Sequence, residues 1–162
     1  TKIAQSLRQL AERFDDVIVD AGGFDSVELR TALAAADRLY SPVRASQSDL
    51  WTLEAMSQLV GEAREMNAEL RAFLVLSMAP TNPAIQETTQ AIASLADYPS
   101  FEPCRAILRD RKVFRDAMFQ GRGVLELPDP KARLELDALT QEILGHDPVL
   151  SGSAPEILAS VA

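Results

Sequence analysis

Asp20 closes a short apolar run, Val17-Ile18-Val19, and Ala21-Gly22-Gly23 follows it at once. A carboxylate at the end of a buried strand is held rigidly. It can hold a magnesium ion through water while the glycines beyond it turn their backbone toward a phosphate. The same aspartate could instead cap the next turn, because an apolar strand ending in Asp occurs in many folds. A second group carries charge: Arg105, Arg109, Arg111, Lys112, Arg115 and Arg122 share a segment whose acids are Asp110 and Asp116. Such a cluster suits nucleic-acid phosphates, and it equally suits a solvated helix face with its own i,i+4 partners. A single histidine, His146, and a single cysteine, Cys104, exclude His-rich metal or triad chemistry, Cys-based zinc sites and an intrachain disulfide. His146 reads as a dipole partner after the last helix, and Cys104 as a small core residue.

These side chains need elements to position them. Residues 2–14 read as a helix, with Ile3, Leu7, Leu10 and Phe14 at helical spacing. Residues 16–20 read as a strand buried on both faces. Asp25-Ser-Val-Glu28 has the outline of a capping box and opens a helix to about Ala36. A second strand covers 37–43, and Ser46-Gln-Ser-Asp49 opens a long helix to about Asn67, with Trp51 beside its apolar stripe as packing or a dimer contact. A third strand covers 72–78. A helix led by Asn82-Pro83 ends near Ala96, and a fourth strand covers 103–109. A short helix over 112–120 stops at Gly121, and Leu127-Pro128-Asp129-Pro130 is a rigid entry to a last helix ending near Leu144. Met66, Met78 and Met118 read as core filler. Alternating strands and helices predict an α/β fold, a parallel sheet with helices on both faces, and place Asp20, Pro42 and Ser77 along one rim. The 162 residues, 47% apolar and 25% charged, suit one domain over 1–145, with 146–162 as a tail or loosely docked helix. A net charge of −8 argues against coating nucleic acid over the whole surface. Neither a membrane-length apolar run nor a secretory signal is present.

The run from Asp16 to Leu53 resembles the ParA/MinD family of deviant Walker ATPases, most closely the small plasmid-partition ParA proteins. The likeness rests on the strand ending in Asp20, the small-residue loop after it, and the phrase Ala35-Ala36-Asp37-Arg-Leu-Tyr-Ser-Pro42-Val43-Arg-Ala-Ser-Gln-Ser-Asp49-Leu50. Farther on, Arg111-Lys-Val-Phe-Arg-Asp-Ala-Met-Phe-Gln-Gly121-Arg-Gly-Val124 is similar to another family phrase, and Glu135, Leu139 and Glu142-Ile143-Leu144 to its closing one. The family's glycine-rich P-loop with two lysines has no counterpart in these residues, whose lysines are Lys2, Lys112 and Lys131. Where the family often has Asn near the adenine, Leu76-Ser77-Met78 stands here.

The resemblance implies the C-terminal two-thirds of an incomplete P-loop NTPase: a fragment, a processed product or a truncated gene. It implies Asp20 as the catalytic carboxylate holding Mg2+ through water, and Gly22 and Gly23 as the second switch, with Asp25 and Ser26 steadying it. Ser77 and Pro128 would approach the nucleotide. The intact protein would use ATP and Mg2+, form a homodimer, bind DNA non-specifically through Arg109, Arg111, Lys112, Arg115 and Arg122, and answer to a centromere-binding, ParB-like adaptor. It would act in the cytoplasm at the nucleoid and not at a membrane. ATP hydrolysis is expected of the intact protein and not of this chain alone. Two rival readings are a non-enzymatic ParA-like interaction module or regulator, and a related ATPase for conjugation or cell-division positioning. The last is disfavoured because Glu156–Ala162 lacks the Lys/Arg face of a membrane-surface helix.

Overall fold

Short apolar runs separated by amphipathic helices leave the strands of this chain little choice but to pair in parallel, and they do. The computed structural model describes residues 2–44, 47–82, 87–145 and 156–161. Its elements are α1 (Lys2–Ala11), β1 (Asp16–Ala21), α2 (Val27–Leu33), β2 (Arg38–Val43), α3 (Gln47–Met66) and β3 (Arg71–Ala79). They continue with α4 (Glu87–Leu95), β4 (Glu102–Arg109), α5 (Lys112–Gln120), a 3-10 turn (Val124–Glu126), α6 (Pro130–Leu144) and β5 (Glu156–Val161). The sheet order is β1-β5-β2-β3-β4, every neighbouring pair parallel. All five carboxyl ends therefore share one rim.

Local chemistry sets the helix ends. Ser26 caps α2, its Oγ accepting from the Leu29 N–H at 3.1 Å. The expected cap at Asp25 falls one residue later because Asp25 is drawn to Arg30 instead. Asn67, just past α3, donates to the carbonyls of Leu33 and Ala36 at 3.2 and 2.7 Å, satisfying acceptors at the end of α2. Gly121 ends α5 at φ 62, a left-handed position that glycine takes without a Cβ clash. Asp129 caps α6, its carboxylate accepting from Lys131 N and Ala132 N at 3.0 Å.

The main core lies on one face of the sheet. Val17, Leu39, Leu74 and Ala159 meet Leu7, Leu29, Leu33 and Val60 from the first three helices. Each fully buried leucine contributes about 1.5–3 kcal/mol over exposure. On the other face α6 brings Leu139 and Ile143 against Tyr40, Phe73, Val75 and Cys104. Arg38, buried at the start of β2, donates to the Ile143 carbonyl at 3.2 Å and pins the end of α6.

Three expectations change. β1 is not buried on both faces: it is an edge strand, and Asp16, Ile18 and Asp20 face solvent where no helix covers them among the described residues. Residues 156–161 are not a tail or helix but β5, paired to β1 on one side and β2 on the other. Met66, Met78 and Met118 are exposed, because each stands outside the two apolar layers. The cap at Ser46, the Pro83 start, the side chain of Trp51 and the role of His146 lie outside the described residues.

Candidate functional site

The rim begins at β1. Asp20 is the penultimate residue of that strand, paired with Ser160 of β5, and its side chain is exposed. It makes no ion pair with the described residues of its own chain. Gly22 and Gly23 follow without a positive φ. A Cβ at Gly22 would come 2.9 Å from the Phe24 ring, so the missing side chain makes room for that ring. Beyond them Asp25 accepts from Arg30 Nε and Nη2 at 2.6 and 2.8 Å, and Arg30 also donates to Glu62 of α3. The guanidinium hydrogen bonds hold the Asp25 carboxyl below its ordinary value, although the group is exposed. The loop after Asp20 is thus tied to two helices. Gly23, Phe24, Asp25, Met56 and Glu62 line an open cavity between α2 and α3.

Ser77 stands farther along, in β3. Neighbouring strands lie about 4.8 Å apart, so β1 and β3 stand roughly 14 Å apart across three intervals; Asp20 is level with Phe73, and Ser77 lies four residues, roughly 13 Å, farther along β3. Ser77 lines a cavity of about 250 Å3 with Met78, Leu108, Phe114, Arg115 and Met118. Met78 holds φ 52, a strained value for a side chain with a Cβ. Neither Met78 nor Met118 was legible as a lining residue, since both match a core pattern in sequence. Pro128 is exposed at the entry to α6, on the β4 side, and does not line this cavity. The candidate nucleotide residues therefore fall at two ends of one rim.

The basic cluster folds into two layers. Arg111 Nη2 lies 2.6 Å from Glu135 of α6, with side chains 16% and 15% exposed, and Arg109 reaches the same carboxylate at 3.8 Å and the Pro80 carbonyl at 2.6 Å. Their hydrogen bonds fasten the end of β4 to α6. Lys112, Arg115 and Arg122 face solvent, yet each meets its own acid: Asp116 at 2.8 Å, Asp110, and Glu126 at 3.6 Å. Five cations that looked nearly unopposed in sequence meet four carboxylates in space. Glu126 and Glu135 lie outside the basic segment, which is why the run of residues concealed them.

A magnesium–nucleotide site commonly draws on one or two carboxylates together with water and the nucleotide's own phosphates. Asp20 suits a contact through water, but no cluster of three metal-ligating side chains exists among the described residues.

The architecture is α/β, a parallel sheet flanked by helices, as in P-loop nucleotide-binding proteins. No protein-family model matches the chain. It is similar to the "Maintenance of carboxysome distribution protein A" of Halothiobacillus neapolitanus (strain ATCC 23641 / c2), 26% identical over 142 residues. The match covers 87% of this chain and 64% of that relative. The likeness supports a distant, ParA/MinD-like relationship, and the chain spans under two-thirds of the relative's length. No helix among the described residues is long and apolar enough to cross a membrane.

Proposed function

We propose that this chain is the larger part of a ParA-like ATPase that distributes a cellular cargo, a plasmid or chromosome being the first candidate. The intact protein dimerises with ATP, binds DNA without sequence preference and is stimulated by an adaptor on the cargo. The observation that carries this reading is Asp20, an exposed carboxylate at the rim of a parallel sheet, without an own-chain ion partner among the described residues and next to Gly22-Gly23. Asp20 would orient a magnesium-bound water, while the backbone at Gly22 and Gly23 senses the terminal phosphate. A relative named for maintaining carboxysome distribution supports a positioning role of this kind.

The test is ATP binding by the 162-residue chain and by a polypeptide extended with what precedes Thr1, with and without magnesium. The short chain is expected not to retain ATP. The extended one should retain it, and Asp20→Asn should weaken its magnesium dependence about tenfold, as loss of an outer-shell ligand does. An unchanged magnesium dependence removes Asp20 from the site. In the same samples, Lys112→Ala with Arg115→Ala should lower the salt slope of DNA retention by about 0.9 per lost phosphate contact. An unaltered slope returns the cluster to a solvated face.

One observation favours a second reading, a non-enzymatic interaction module. The five clustered cations already have carboxylate partners in their own chain. ATP-independent behaviour of the extended protein, with adaptor binding retained, would select it.

A further inference from the structure

α6 buries one stripe of side chains and leaves another bare. Ala132, Leu139 and Ile143 turn toward the sheet, and Glu135 and Glu142 accept N–H groups of β4 from the same side. At about 3.6 residues per turn, the opposite stripe holds Lys131, Leu134, Asp137, Ala138 and Gln141. Leu134 stands at its middle, 69% exposed, and Ala138, one turn on, is exposed as well. The 3-10 turn before α6 adds Leu125, whose carbonyl accepts from Arg133, and α5, which touches that turn, adds Phe119 at 94% exposure. A single bare leucine on a solvated helix needs no explanation, but exposed apolar side chains on three touching elements mark a surface that something covers. This surface lies across the sheet from α1, which packs with α2 and α3 on the other face.

The charges on the stripe say what covers it. Lys131 stands three residues before Leu134 and Asp137 three residues after it. Neither side chain has an ion partner or a hydrogen bond among the described residues, whereas Arg133, Glu135 and Glu142 on the same helix all find partners. An antiparallel twin helix centred on Leu134 brings the two leucines together and sets Lys131 of each copy level with Asp137 of the other. The flexible lysine stem then lets each ammonium reach its carboxylate. A parallel twin would set Lys131 level with Lys131 and Asp137 with Asp137, like charge beside like. A foreign helix would need a leucine with a cation and an acid at these same offsets, and this chain supplies them itself. Such reciprocity, each residue meeting the other's partner twice, is what a twofold contact requires.

We propose that the outer stripe of α6 is a nucleotide-independent interface between two copies of this chain, antiparallel about Leu134 and closed by two Lys131–Asp137 pairs. It uses no residue of the Asp20 rim or of the basic cluster, and it does not rest on the ATPase reading. A single helix pair falls at the small end of interface sizes, so the dimer is weak and forms at high concentration.

Sedimentation velocity of the 162-residue chain over a concentration series, without nucleotide, should show a monomer–dimer equilibrium, and the polypeptide extended before Thr1 should show it too. Leu134→Ser, a change at an exposed site, should weaken the dimer about tenfold, as truncation at the centre of an interface does, while leaving the thermal midpoint in place. Lys131→Asp alone, or Asp137→Lys alone, sets like charges level in both pairs and should weaken it about fivefold. The two changes together should restore the original constant, because each pair is remade with its signs exchanged; a purely structural role for either residue would not be rescued in this way. A monomer at every concentration in both polypeptides would overturn the proposal and leave the stripe to a different partner. So would a dimer that Leu134→Ser does not weaken, or one that the double exchange fails to restore. Dimerisation seen only with ATP would assign self-association to the nucleotide rim, overturning this interface and leaving the ATPase reading intact.

Discussion

Asp25 shows what a bidentate guanidinium does at the surface. Arg30 donates two hydrogen bonds to its carboxylate, at 2.6 and 2.8 Å, and these lower its pKa from 3.8; slight burial opposes them and the positive charge adds to them. Both side chains are well exposed, so solvent screens the pair and its worth to stability is small. The direction in pH is still fixed. A depressed folded-state pKa gives a contribution present above the ordinary carboxylate pKa and lost as pH falls through the lower folded value. In a carbon-detected NMR titration the Asp25 carboxyl should therefore have its midpoint below 3.8, and Arg30→Ala should return it to that value. An ordinary midpoint in the unaltered chain would mean that Arg30 does not hold the loop after Gly23. The sequence made Asp25 a candidate cap because an Asp three residues before a Glu carries that signal. It could not show that an arginine five residues on would win the carboxylate and leave the cap to Ser26.

At the scale of elements, Glu142 decides how the far edge of the sheet is closed. Its two oxygens accept from consecutive N–H groups of β4, at Arg105 and Ala106. Its charge, after burial, also helps push the Cys104 thiol up to about 12, so the small core residue expected there is an unreactive one. Glu142→Ala gives the exposed Arg105 N–H to water and takes the acceptor from the N–H of the buried Ala106, which should cost about 1 kcal/mol in a urea titration. Amide exchange at residues 105 and 106 should accelerate, while that of β2 should not. Unchanged exchange at 105 and 106 would show that α6 does not seal this edge. The ends of α5 and α6 were legible because their signals are local: Gly121 as a stop, and Asp129-Pro130 as cap and first turn. The work of Glu142 was not, because its partners lie 37 and 36 residues away in the chain. Ile18 failed for a related reason. An apolar run says that a strand is buried, but whether one face or two is covered depends on where α6 lies.

For the whole molecule the decisive strand is the last one. β1 and β2 are not neighbours; β5 stands between them and pairs with both, so β1 reaches the remainder of the sheet through it. Parallel order and the shared rim were legible from the alternation of strands and helices. The strand order was not, because the position between β1 and β2 is filled from the far end of the chain by a segment poor in helix or turn signals of its own. Ala159 lies in the main core at 1% exposure, on the face that meets the first three helices. Ala159→Asp places an unpaired carboxylate there, and an uncompensated buried charge costs about 3–5 kcal/mol. Against a total stability of about 5–15 kcal/mol, that is a large fraction. The urea midpoint should fall steeply, and amide protection should be lost first in β1, whose ladder partner is β5. The β2–β3 pair should keep its protection longest, because its six-residue parallel register does not involve β5. A variant that unfolds at the same urea concentration as the original chain, with β1 still protected, would remove β5 from its place between β1 and β2. It would leave Asp20 on a strand with no neighbour to hold it at the rim.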